Sequence, residues 1–163
     1  MIFTIASKEQ LPTVRDLAYR IWPDTYGTTH TIEELDYMLS KFYAVDALEQ
    51  QIGNGHVFVL AEENNTFIGF VAYELFSEHT NSTKIHKLYV LPQTQGRGIG
   101  KALVDYVREE AIINKNEKLF LNVNKLNKAK DFYHRYGFTI TKEIIIDIGE
   151  GFVMDDYVME LTV

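Results

Sequence analysis

The stretch that decides the fold is LYVLPQTQGRGIGKALVDYV, residues 88–107. β-formers run into Pro92, three glycines follow at every second position (Gly96, Gly98, Gly100), and a helix pattern begins. Ile99, Ala102, Leu103, Tyr106, Val107 and Ala111 recur on one helical face. Strand, glycine loop and helix in that order make a phosphate cradle, because the free N–H groups and the dipole of a helix N-terminus both favour an anion. Two nucleotide patterns fail at countable positions. The Walker loop needs glycine where Gln95 stands and Ser or Thr where Ala102 stands. The dinucleotide fingerprint needs its third glycine at Lys101.

Outward from the loop, the chain reads as alternating elements. IFTIA (2–6) is strand-like, and Leu11, Val14, Leu17, Ala18 and Ile21 have helical spacing, with Pro12 in the first turn. Thr31 and Glu34 form a capping-box signature before a second helix, and a further helical piece covers 45–52. Strands follow at 56–63, 66–76 and 83–91. Beyond the loop helix come a strand at 118–123, a short helix ending at Gly137, and a hairpin of 138–148 with 151–161 around Gly149-Glu150-Gly151. The order, taken as βααβββαβαββ, predicts an α/β sandwich with one mixed sheet. No linker or repeat interrupts it, so residues 1–163 are expected to be a single domain.

Composition removes several functions. The formal net charge of −7 argues against a nucleic-acid binder or an anionic-membrane binder. The absence of cysteine excludes disulfides, thiolate metal sites and a cysteine nucleophile, and no metal is expected. The first residues lack a signal-peptide pattern and no apolar run is long enough to span a bilayer, so a cytoplasmic location is the expectation.

The loop does fit Gln/Arg-x-x-Gly-x-Gly/Ala, through Gln95, Gly98 and Gly100. KLYVLPQTQGRGIGKAL resembles the acetyl-CoA-binding motif of the GCN5-related N-acetyltransferases, the GNAT superfamily. NVNKLNKAKDFYHRYGF (122–138) resembles that family's closing signature, with Ala129, Tyr133, Gly137 and Phe138 in order. The usual family asparagine would fall at Leu126; Asn124 and Asn127 flank it instead, and Asn127 suits either a helix cap or a CoA contact.

The resemblance implies the GNAT fold, a mixed sheet of about seven strands with helices on both faces. It also implies direct acetyl transfer from acetyl-CoA to a primary amine. Leu88, Tyr89 and Val90 would carry the pantetheine, with the strand splayed at a bulge. Gln95, Gly96, Arg97, Gly98, Ile99, Gly100 and Lys101 would hold the pyrophosphate, with Asn127 and Tyr133 lining the channel. Tyr133 is the implied acid for the thiolate. His86 stands where family members often have a glutamate base; the bland alternative is a packed strand histidine.

The acceptor end resembles bacterial polyamine (spermidine-type) acetyltransferases more weakly. Trp22, Tyr26, Glu33 and Glu34 are its candidate lining, with Asp155 and Asp156 adding charge at the mouth. For Glu33 and Glu34 the alternative is a plain helix first turn, where acids are favoured anyway. Two other functions remain open: acetylation of a protein N-terminus or lysine, and acyl-CoA binding without turnover. Family members often dimerise, so a homodimer is a further expectation.

Overall fold

The computed structural model describes residues 1–163. In chain order the elements are β1 (Ile2–Ile5), α1 (Leu11–Tyr26), α2 (Ile32–Tyr43), α3 (Val45–Gly53), β2 (Val57–Glu63), β3 (Thr66–Glu74), β4 (Ser82–Val90), α4 (Ile99–Ile113), β5 (Lys118–Asn124), α5 (Ala129–Tyr136), β6 (Thr139–Gly149) and β7 (Phe152–Thr162). The strands form one seven-stranded sheet in the order β1-β2-β3-β4-β5-β7-β6. Only the β4–β5 pair is parallel. Residues of opposite parity on β3 meet opposite helical layers: Phe70 packs on Tyr43 of α2, and Tyr73 on Tyr106 of α4. Helices therefore cover both faces. None is long and apolar enough to cross a membrane.

The local chemistry explains most boundaries. Thr31 and Glu34 do form the capping box, the threonine hydroxyl accepting from the Glu34 N–H at 3.1 Å. Ala44 takes an extended ψ of 143° and breaks α2 from α3. The segment at 45–52 is thus a third early helix, which corrects the order to βαααβββαβαββ. Helix α1 also runs further than its apolar spacing indicates, through Pro23 to Tyr26. A proline there forgoes a bond to the Tyr19 carbonyl, and Tyr19 is exposed, so water can satisfy that group.

One irregularity positions everything that follows. Ala72 of β3 opposes Lys87, yet Tyr73 opposes Ile85, so His86 is an extra residue in β4. On the other side, β4 pairs with β5 from Ser82↔Lys118 to Ile85↔Leu121 and no further. Beyond the bulge the two strands part, and residues 86–90 are left half-buried.

Candidate functional site

The parting strands open a cavity of ≈ 380 Å³ between β4 and β5, roofed by α1 and α2 and flanked by the β6–β7 hairpin. His86, Leu88 and Tyr89 wall it on one side, and Asn122, Val123 and Asn124 on the other. Trp22 and Tyr26 of α1, two of the expected acceptor residues, line it. Glu33 and Glu34 do not. Glu33 is exposed, and the Glu34 carboxylate accepts the Thr31 N–H at 3.3 Å, so capping α2 occupies it. The roof is latched: Tyr37 and Lys41 of α2 both donate to the Ile148 carbonyl on β6.

At one end of β4, the glycine loop leads into α4. Gly96 and Gly98 have φ of +80° and +79°, the left-handed region that L side chains avoid. A Cβ on either would meet nothing within 4 Å, so it is the backbone path and not crowding that calls for glycine. Gly98 is the N-cap of α4, and the first N–H groups of the helix there are free for an anion. Gln95 donates its side-chain amide to the Val90 carbonyl at 3.3 Å, and Arg97 forms an ion pair with Glu63. Further along, Lys101, Asp105 and Arg108 of α4 and Phe132, Arg135 and Tyr136 of α5 line a second cleft with three basic groups, of which Lys101 is paired with Asp105 at 2.8 Å.

Tyr133 is almost fully buried on α5 and lines the cavity. Burial, then the nearby Tyr26 phenol, pushes its pKa up, so the hydroxyl keeps its proton at neutral pH. The Tyr26 and Tyr89 hydroxyls share a hydrogen bond of 2.8 Å, and the Asn127 side-chain amide donates to the Tyr26 oxygen at 3.3 Å. The Asn127 carbonyl oxygen accepts from Ala129 N–H at 2.9 Å. Asn127 therefore starts the α5 turn and ties α1 to the cavity wall.

His86 stacks on His56 at 3.8 Å between centroids and 14° between planes, and its Nε2 is 3.0 Å from Glu74 Oε1. Burial, then His56, Lys84 and Lys87, pushes its pKa down to about 2. It is a neutral ring whose Nε2–H donates to the carboxylate, and it accepts a proton poorly. His56, Glu74 and His86 offer ligand atoms all within 4.8 Å of one another, the spacing of a cation site. The two rings stack face to face, and Lys84 and Lys87 weigh on both histidines, which disfavours a further cation. The trio is better described as a hydrogen-bonded His86–Glu74 pair with the His56 ring stacked on it. His56 and Glu74 escaped the sequence reading because neither sits in a motif.

The cavity contains one more carboxylate. Asp156 of β7 opposes Asn124 at the open end of β5, lines the cavity and is 1% exposed. Its neighbour Asp155 instead pairs with Lys125 at 2.9 Å, outside the cavity.

Comparison with known proteins agrees with this architecture. The family described as "Acetyltransferase (GNAT) domain" matches residues 27–161. An uncharacterized N-acetyltransferase in the pepI 3′ region of Lactobacillus delbrueckii subsp. lactis is 24% identical over 151 residues, 88% of this chain and 87% of that protein. The crystal structure of the PaiA N-acetyltransferase from Thermoplasma acidophilum, in complex with coenzyme A, superposes with a TM-score of 0.82 at 23% identity, covering 100% of both chains. A GCN5-related N-acetyltransferase from Rhodopseudomonas palustris gives a TM-score of 0.85 at 15% identity, over 99% of this chain and 95% of that one. With a family match spanning most of its length and a strand pair opened beside a glycine loop, this chain belongs to the GNAT acetyltransferases, enzymes that take their acetyl group from acetyl-CoA.

Proposed function

We propose that the chain transfers the acetyl group of acetyl-CoA to the primary amine of a small acceptor held under α1 and α2. The observation that carries this reading is the parting of β4 from β5 after Ile85, which leaves strand backbone facing a cavity instead of a neighbour. Backbone groups of Leu88, Tyr89 and Val90 are suited to bond the pantetheine amides as a neighbouring strand would. The loop from Gln95 to Lys101 suits the pyrophosphate, and the basic cleft of Lys101, Arg108 and Arg135 suits a further phosphate.

Tyr133 is assigned as the acid that protonates the departing thiolate, its raised pKa keeping it protonated until a strong base forms beside it. His86 was the expected base. A ring pushed down to about 2 and engaged by Glu74 serves better to fix the bulge and present a neutral polar edge to the cavity. A small acceptor is favoured over a peptide by the latch of Tyr37 and Lys41 onto Ile148, which ties the α2 roof to β6 over the cavity.

The test is release of free CoA thiol from acetyl-CoA with a panel of small amines and with peptides bearing free N-termini or lysines. Turnover with small amines alone is the expected result. Turnover confined to peptides overturns the acceptor class. Acetyl-CoA binding with no release for any amine overturns the reaction.

A further inference from the structure

Asp156 is a buried carboxylate with no direct partner. Its Oδ1 has no hydrogen-bond partner, and the residue takes part in none of the ion pairs of the chain. The charged and titratable groups around it are Lys84 on β4, Asp155 on its own strand and Tyr26 on α1. His56, His86 and Lys87 share the cavity, and burial pushes each of them toward its neutral form. Burial and then Asp155 raise the pKa of Asp156 to about 6, with Lys84 opposing. Above that pH a charge lies in the cavity without an ion pair, since Lys84 and Lys87 line the same cavity but neither pairs with Asp156. Such a group is costly to keep unless a ligand completes it. The same cavity is also lined by the rings of Trp22, Tyr26, Phe42 and Tyr43, and aromatic faces suit a cation.

We propose that Asp156 receives the acceptor: its carboxylate pairs with the ammonium of a small cationic amine and takes the amine's proton. The inference rests on the transfer reaction proposed above and names its acceptor class. The acceptor enters as R–NH3⁺ and gives one proton to the Asp156 carboxylate, which later passes it to solvent. The freed nitrogen lone pair bonds to the thioester carbonyl carbon, and the C–S bond breaks with its electrons on sulfur. The second nitrogen proton balances the one that sulfur gains through Tyr133, so the products are the amide, CoA thiol and one H⁺. A carboxylate this close to neutrality is a better-matched base than the histidine pushed far below it. Asp156 is then a catalytic residue as well as the anchor.

The experiment compares wild type with Asp156→Asn, using acetyl-CoA and two probes: spermidine, which is protonated at neutral pH, and hydroxylamine, which is not. Wild type should show an acidic limb in kcat/KM for spermidine near pH ~6. In the variant that limb should vanish and kcat/KM for spermidine fall about 10²-fold or more, with a much smaller loss for hydroxylamine, all rates taken above the enzyme-free release of thiol, and with acetyl-CoA binding retained. Independently of turnover, spermidine should raise the melting temperature of the CoA-bound wild type and not that of the variant. Equal loss with both probes, or a variant that matches wild type on spermidine, overturns the assignment. If wild type releases no thiol with either probe, the transfer reaction itself fails. The melting shift then still decides whether Asp156 holds an ammonium, and a shift unchanged in the variant says that it does not. Should the variant fail to bind acetyl-CoA, the wild-type pH limb decides alone: no limb near pH ~6 overturns the assignment.

Discussion

Strands β4 and β5 have two halves that obey opposite rules. From Ser82 to Ile85 they pair in register, and Thr83, Ile85, Leu119 and Leu121 are all buried in the ladder. From His86 to Val90 no pairing with β5 exists, every residue is half-buried, and the opposite wall carries Asn122 and Asn124. The first half contributes stability through apolar burial; the second leaves hydrogen-bonding capacity open for a ligand. The same two strands thus serve folding and chemistry without sharing residues, and that separation can be attacked from either side.

The largest effect should come from the open half. Tyr133→Phe is expected to lower kcat by roughly 10²–10⁴-fold, as for loss of a positioned acid, with acetyl-CoA affinity and melting temperature close to wild type. A matching loss of stability would mean that Tyr133 is chiefly core. Next is the paired half: Leu119→Ala removes a fully buried side chain opposite Thr83 and should cost about 2–5 kcal/mol in denaturant unfolding. Below its melting transition, that variant should keep its kcat/KM. A large kinetic defect in the folded protein would show that the halves are coupled.

Asp156 lies beside the open half, and its effect has the opposite sign. Its folded pKa of about 6 lies above the ordinary ~3.9, so folding favours the protonated form. Stability attributable to it is full below pH ~4, declines as pH rises toward ~6, and stays lower by about 3 kcal/mol above that. Asp156→Asn should therefore gain stability over wild type above pH ~6 and lose that gain by pH ~4, followed by urea midpoints across the range. A gap independent of pH would remove Asp156 from the titration. The smallest effect is expected at the loop. Gly98→Ala meets no neighbour but must hold φ at +79°, which costs about 1–2 kcal/mol. It should raise KM for acetyl-CoA and leave kcat nearly unchanged.

The sequence displayed the scaffold more openly than the acceptor end. Periodicity and the glycine loop located the strands and helices because those signals are local. What lay hidden depended on register. His86 reads as one more strand residue until β3 is laid beside it. Glu33 and Glu34 read as acceptor contacts, although Glu34 had a local use in capping Thr31. Asp156 looks equivalent to Asp155 in the pair DD, yet one is 1% exposed and the other pairs with Lys125. A parity signal was present: Met154, Asp156 and Val158 alternate, which puts a carboxylate among apolar positions of one strand face. That Trp22 and Tyr26 line the cavity was easier to anticipate, because aromatic residues near a helix end stand out without register.

The extra residue at position 86 also acts as a phase setting for the rest of its strand. Side chains alternate with a period of two, so every residue after an insertion is carried to the opposite face. Because Lys87 opposes Ala72 and Tyr89 opposes Phe70, both now lie on the side of α1 and α2. Were His86 to take a regular place in the ladder opposite Ala72, the four residues after it would be inverted, sending Tyr89 away from Tyr26 and the Lys87 side chain away from Gln51. A substitution at 86 alters one side chain, whereas drawing His86 into the ladder would turn four. In this part of the chain, which residue stands outside the ladder is a stricter requirement than the side chain it carries.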